Sequence, residues 1–220
     1  MKNRADKFYD KLAESYDLLT KSGPNVWTPP KLIESEVFNL ISKNSKIIDI
    51  GIGTGQAIEK VYQTRTFSSI TGVDISKKMI SICKEKFDGI DLIKIDSLSD
   101  LKKIKNAYDL VICSGTFEFF ENAEIFFEQC HRLLNKSGYL IFTYEPIILF
   151  HLIQKDEISN NISGNSEFQV DGFFTKRYKP STINKLLSSN KFNVLKDEEF
   201  ISYKKNDSNI IYHLIVCKKI

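Results

Sequence analysis

The sequence predicts an α/β fold in which a doubly wound, mostly parallel sheet carries helices on both faces and ends in an antiparallel hairpin. Three observations support this. Short apolar runs of strand length alternate with longer segments of helical period, the glycine cluster DIGIGTG (49–55) directly follows the first apolar run, and the last two apolar runs are joined only by KKNDSN. Alternating strands and helices build right-handed βαβ crossovers and so a parallel sheet, whereas a link of this length suits a hairpin.

The elements follow in order. Over residues 4–19, Phe8, Leu12, Tyr16 and Leu19 recur at three- and four-residue spacing, which predicts an amphipathic leading helix with an aromatic face. Thr28 before Pro29 and Pro30 reads as an N-cap, and Ile33, Val37, Leu40 and Ile41 then share one face of a second helix. Lys46–Ile50 is a buried strand feeding the glycine turn. Ser69–Val73, Leu92–Ile95, Leu110–Cys113 and Gly138–Thr143 are further strands. Helices are expected at Lys77–Phe87, with Met79, Cys83 and Phe87 aligned, and where Ala123, Phe126, Phe127, Cys130, Leu133 and Leu134 align. Residues 145–179 break the rhythm, and such an irregular stretch in a compact domain is expected to be a lid or partly disordered. A helix with Ile183, Leu186 and Leu187 follows Pro180, and Phe192–Tyr203 and Ile210–Cys217 form the closing hairpin. The expected organisation is one domain over 1–220. Within it lie cap helices (1–44), a ligand-binding core (45–144), an insertion (145–179), and a terminal helix with the hairpin (180–220).

At 220 residues, 42% apolar and 27% charged, the chain has ordinary globular composition. Its net charge of +3 comes from scattered lysines, with arginine only at 4, 65, 132 and 177; nucleic-acid readers concentrate such charge on one face. The N-terminus lacks an apolar signal core, and no apolar stretch approaches the roughly 18 residues of a membrane span. Cys83, Cys113, Cys130 and Cys217 lie in apolar runs without CxxC spacing, as expected of core thiols in a reducing compartment, so a cytoplasmic protein is expected.

Chemistry gathers around the glycine loop. Gly51, Gly53 and Gly55 let the backbone turn sharply and approach a ligand, and the start of the next helix offers free N–H groups; a simple tight turn is the competing account. Asp74 ends the second strand roughly 20 residues on, where a carboxylate can accept both ribose hydroxyls. Asp96 ends the third, in IKIDS. Ligands of open α/β sheets bind outside the strands' carboxyl ends, so these features share one crevice and together favour a nucleoside.

DIGIGTG, VDIS with Asp74, IDS with Asp96, and YDLVICSGTFEFFEN followed by HRLLNKSGYLIFT together resemble class I S-adenosylmethionine-dependent methyltransferases over residues 5–144. The leading FYDKLAESYD also resembles the tyrosine-bearing helix that many small-molecule methyltransferases fold over the cofactor. The resemblance implies a Rossmann-like seven-stranded sheet whose last strand is antiparallel. It also implies that Gly51, Gly53 and Gly55 hold the methionine end, Asp74 the ribose, and that Asp96 lies beside the adenine. Tyr9, Tyr16, Asp49, Ile75, Met79, Ser97 and Ser114 complete the cofactor-binding set it implies. A nicotinamide or flavin dinucleotide enzyme is the runner-up, but its loop wants G-x-G-x-x-G, and Gln56 stands where the third glycine belongs.

Methyl transfer needs alignment of the acceptor, and a base only when the acceptor must lose a proton. Where many small-molecule members carry an E-H pair, this chain has Glu118 followed by Phe119, leaving Glu118 as one candidate base and His151 as another. Further acceptor-side candidates are Tyr9, Tyr16, Trp27, Glu145, Arg177 and Tyr178, and Lys176, Arg177 and Lys179 would suit an acidic substrate or a solvated turn. His131 and His213 read as structural. The expected partner is a small-molecule methyl acceptor, with no membrane and no nucleic acid; a protein or RNA acceptor, or a non-catalytic cofactor-binding subunit, stay open.

Overall fold

In a computed structural model, residues 5–21, 26–148, 165–170, 173–205 and 207–220 are described. Helices α1 (Ala5–Lys21) and α2 (Pro29–Leu40) lead into β1 (Lys46–Ile50). The glycine turn continues as a 3₁₀ turn, Gln56–Ile58, into α3 (Glu59–Thr64), then β2 (Ser69–Asp74), α4 (Lys77–Lys86) and β3 (Asp91–Lys94). A second 3₁₀ turn, Leu98–Lys103, takes the place of a crossover helix before β4 (Tyr108–Cys113). A third, Phe117–Phe119, precedes α5 (Ala123–Leu133) and β5 (Leu134–Tyr144). The chain then forms β6 (Asn165–Val170), β7 (Phe173–Tyr178), α6 (Pro180–Ser189), β8 (Phe192–Lys205) and β9 (Ser208–Lys219).

Seven strands form one sheet in the order β3-β2-β1-β4-β5-β9-β8. The first five pair in parallel, and β9 runs antiparallel to both β5 and β8. The expected sheet is therefore present. Strand alternation splits its side chains between two cores. Ile48, Ile50, Val111 and Phe142 pack with α5 and α6 residues on one face, while Ile47, Ile70, Leu110 and Ile112 pack with α2 and α4 residues on the other. Phe117 centres an aromatic group, its ring 5.1 Å from Phe126, 5.4 Å from Phe142 and 5.3 Å from Tyr178.

Thr28 takes the expected N-cap position of α2 with prolines in the first turn, but its side chain makes no capping bond; its hydroxyl donates to the carbonyls of Ile201 and Ser202, tying the helix start to β8. Two other local expectations are corrected. On α1, Phe8, Leu12 and Tyr16 are half-buried beside the buried Ala5 and Ala13, but Leu19, expected on the same face, is exposed, because the last turn docks through polar contacts of Asp17 and Thr20. Finally, part of 145–179 is regular: β6 and β7 pair antiparallel, and Pro146 bridges to Tyr178. Their alternation is hard to read because two adjacent β7 residues, the charged Arg177 and the aromatic Tyr178, are both buried. His151 and the Asn160–Gly164 stretch lie outside the described residues.

Candidate cofactor-binding site

At the carboxyl ends of β1, β2, β3 and β4 lies a cavity of about 370 Å³, within the size range of a small-ligand pocket. β1, β2 and β4 deliver their last residues there because they are buried along their length and only their ends leave the core, and the edge strand β3 adds its end beside them.

Beneath the glycine turn, β1 presents Asp49, 1% exposed, with both carboxyl oxygens lacking a hydrogen-bond partner among the described residues. Burial, followed by the nearby Asp74 charge, pushes its carboxyl up to about 8. Asp74 differs. Its Oδ2 accepts the Gly53 N–H at 2.8 Å and its Oδ1 the Ser76 N–H at 2.8 Å, so β2 holds the glycine turn through its own acid. Burial raises the Asp74 carboxyl, and these backbone donors oppose the rise.

The turn itself needs its glycines. Gly51 has φ 81°, and a Cβ there would stand 2.2 Å from the Thr116 hydroxyl oxygen, so the β1 and β4 loops meet only because no side chain intervenes. At Gly53 a Cβ would find no atom within 4 Å, leaving main chain open toward the cavity. Ile75 and Met79 line the wall next to Asp74, and Ser76 caps α4 by accepting the Met79 N–H at 3.1 Å. Asp96 and Ser97 line the rim; the Asp96 carboxylate pairs with Lys94, and both backbone N–H groups donate to Asp100. Ser114, Gly115 and Thr116 contribute the β4 end.

Helix α1 covers this arrangement. Tyr9 and Tyr16 line the cavity from it, and burial raises both phenols, Tyr16 to about 12. Asp17 Oδ1 accepts from the Thr54 hydroxyl at 2.5 Å and from Gln56 Nε2 at 2.9 Å, while Lys86 Nζ donates to Oδ2 at 2.9 Å. Burial alone would raise the Asp17 carboxyl, but these hydrogen bonds and the Lys86 charge outweigh it and hold it at about 2. Asp10 accepts from the Ser76 hydroxyl at 2.6 Å and the Lys78 N–H at 3.1 Å. Sequence reading missed Asp10, Asp17, Thr54 and Gln56, since no periodicity shows which polar helix residues face a distant loop. The position of Gln56 in the glycine run was the one available signal.

Of the residues expected at the site, Tyr9, Tyr16, Asp49, Gly51, Gly53, Asp74, Ile75, Met79, Asp96, Ser97 and Ser114 line the cavity, as does Trp27. Gly55 is not on the wall; a Cβ there would lie 2.3 Å from the Phe87 ring, so this glycine serves the packing of the turn against α4. Nor does Glu118 reach the wall. It is 3% exposed, and its Oε1 accepts the Glu145 N–H at 2.8 Å. Burial, eased by that bond, pushes its carboxyl up to about 8. Glu145 in turn pairs with Arg177 Nε at 2.7 Å, both buried, so Arg177 belongs to an internal ion pair. Lys176 donates to the Glu121 carbonyl at 2.6 Å. Tyr178 packs on Phe117. His213 sits on β9 beside Asp197, Nδ1 to Oδ1 2.6 Å.

Fold and cavity define a domain that binds a nucleoside at the switch point of a doubly wound sheet. Comparison with known proteins narrows the class. A family model described as a methyltransferase domain matches residues 48–142. The malonyl-[acyl-carrier protein] O-methyltransferase of Priestia megaterium is 28% identical over 154 residues, covering 64% of this chain and 55% of that protein. The demethylmenaquinone methyltransferase of Thermotoga maritima is 25% identical over 143 residues, covering 64% and 61%. The match to each relative thus spans little more than half of its length. A solved magnesium protoporphyrin IX methyltransferase from Synechocystis PCC 6803, with bound S-adenosylhomocysteine, shares the fold at TM-score 0.69 and 17% identity, covering 98% of both chains. The chain thus carries the methyltransferase-domain match across its sheet core and shares the fold of solved S-adenosylmethionine-dependent methyltransferases.

Proposed function

We propose that this chain uses S-adenosylmethionine to methylate a small molecule. The observation that carries the reading is the pair of acids, Asp49 and Asp74, flanking an open glycine turn in one covered cavity. The residues present suit that cofactor. Asp49 offers two unpartnered buried oxygens to a cationic group, and the main chain at Gly53 is open to close approach. Tyr9, Tyr16 and Trp27 supply ring faces, which attract a sulfonium charge. When bound, S-adenosylmethionine supplies a methyl carbon already activated for in-line displacement.

The chain's part is to bind, orient and exclude water. Asp74 is placed to accept from ribose hydroxyls while fixing the turn, Asp96 and Ser97 edge the adenine side, and α1 covers the cofactor. Among the described residues, no lysine, arginine or histidine lines the cofactor cavity, and Arg177 is paired with Glu145. Glu118 acts here by fixing the end of β5 through Glu145, not by meeting the acceptor. The expected compartment is the cytoplasm, which suits four buried free thiols. Among the described residues no helix is long and apolar enough to cross a membrane.

Calorimetric titration with S-adenosylmethionine, S-adenosylhomocysteine and NAD tests the reading. Micromolar binding of the first two and none of NAD supports it; binding of NAD alone overturns it.

A further inference from the structure

Two carboxyl groups enter one covered cavity from adjacent strands, and the fold treats them unequally. Asp49 on β1 lies opposite Gly72 in the ladder, so Asp74 follows two residues later on the neighbouring strand. Asp74 receives the backbone N–H groups of Gly53 and Ser76; Asp49 receives none among the described residues and is 1% exposed. The titratable groups facing Asp49 are Asp74 on β2, the Cys83 thiol on α4 and the Cys113 thiol on β4, while Tyr9 and Tyr16 of α1 line the same cavity and face Asp74. None of these is a cation. The nearby ammonium of Lys86 is engaged by Asp17 and the Thr54 carbonyl.

A buried carboxylate without donors or a counter-charge, beside a second carboxylate, takes up a proton instead of staying charged. We propose that Asp49 is a neutral acid in the free protein and that docking of the cofactor's α-ammonium group ionises it, expelling one proton to solvent. The inference rests on the S-adenosylmethionine reading. The balance is simple: the O–H bond of the Asp49 carboxyl breaks, the carboxylate pairs with the incoming ammonium, and the proton passes to buffer. Burial places the free carboxyl at about 8, so the acid form dominates at pH 7, where the ligand's amino-acid amine is mostly ammonium. At pH 9 Asp49 is already ionised and the release vanishes.

S-adenosylhomocysteine, which keeps the amino-acid end, is titrated into the full chain at pH 7 in buffers of differing ionisation enthalpy; the slope of heat against that enthalpy counts protons. We expect release close to one proton per site, falling to none or reversing at pH 9. 5′-Methylthioadenosine, which lacks the ammonium, is expected to bind without release, and this arm needs no variant. Asp49→Asn is expected to bind S-adenosylhomocysteine more weakly and to release none. Binding of S-adenosylhomocysteine with zero slope at pH 7, equal release with 5′-methylthioadenosine, or full release from Asp49→Asn would each overturn the proposal while leaving the cofactor reading intact. No binding of either nucleoside would overturn both.

Discussion

The two ends of the sheet's switch-point crevice are built from different materials. At the β1–β2–β3 end, backbone N–H groups and carboxylates do the positioning: Asp74 holds Gly53 and Ser76, and Asp17 holds Thr54 and Gln56. At the β4–β5 end, rings fill the space around Phe117, Glu118 accepts the Glu145 backbone N–H, and Glu145 pairs with Arg177 inside the protein. Hydrogen-bonding sites reject ligands lacking the matching group far more sharply than apolar walls reject a change of shape. The first end is thus suited to fixing one cofactor, and the second to holding shape for an acceptor.

Breaking the ring cluster should have the largest effect. Phe117→Ala should cost about 3–5 kcal/mol of stability by opening a cavity among Phe126, Phe127 and Phe142, read as a shifted denaturant midpoint. Gly51→Ala should cost about 2–3 kcal/mol, because the left-handed backbone is strained and the new Cβ meets Thr116. Asp74→Ala should weaken nucleoside binding by about 2 kcal/mol, roughly 30-fold, in a chain that still unfolds cooperatively. If affinity is unchanged, the functional contrast between the two ends is lost.

The smallest effect tests the cover. Asp17 sits at about 2 in the folded protein against an ordinary 3.8, so its contribution is complete above pH 4 and lost as pH falls toward 2. With its side chain about one-third exposed, that contribution discounts to about 1 kcal/mol. Denaturation midpoints of the wild type should fall faster than those of Asp17→Asn between pH 4 and 2; parallel curves would remove Asp17 from the account.

How much of this was legible follows the same division. The central strands β1, β2, β4 and β5 showed as apolar runs because both of their faces are covered, and the glycine turn with Asp74 and Asp96 showed because strand ends fix their spacing. Side-chain partners across long sequence gaps did not show: Asp17 meets Gln56 only after β1 and α1 have docked. β7 was hidden because one of its buried residues, Arg177, is charged and held by an ion pair with Glu145, and alternation reports burial only where the inward residues are apolar.

Gln56, the residue that spoils a dinucleotide loop, has a kinetic consequence. Its amide also donates to Thr20 at 2.7 Å, so the turn grips α1 at two points while Tyr9 and Tyr16 close the cavity. We expect spent nucleoside to leave only after those contacts part, which makes its dwell time a property of the helix more than of the ribose acid. Stopped-flow displacement from Gln56→Ala would then run faster than its loss of equilibrium affinity explains, because arrival is quickened along with departure.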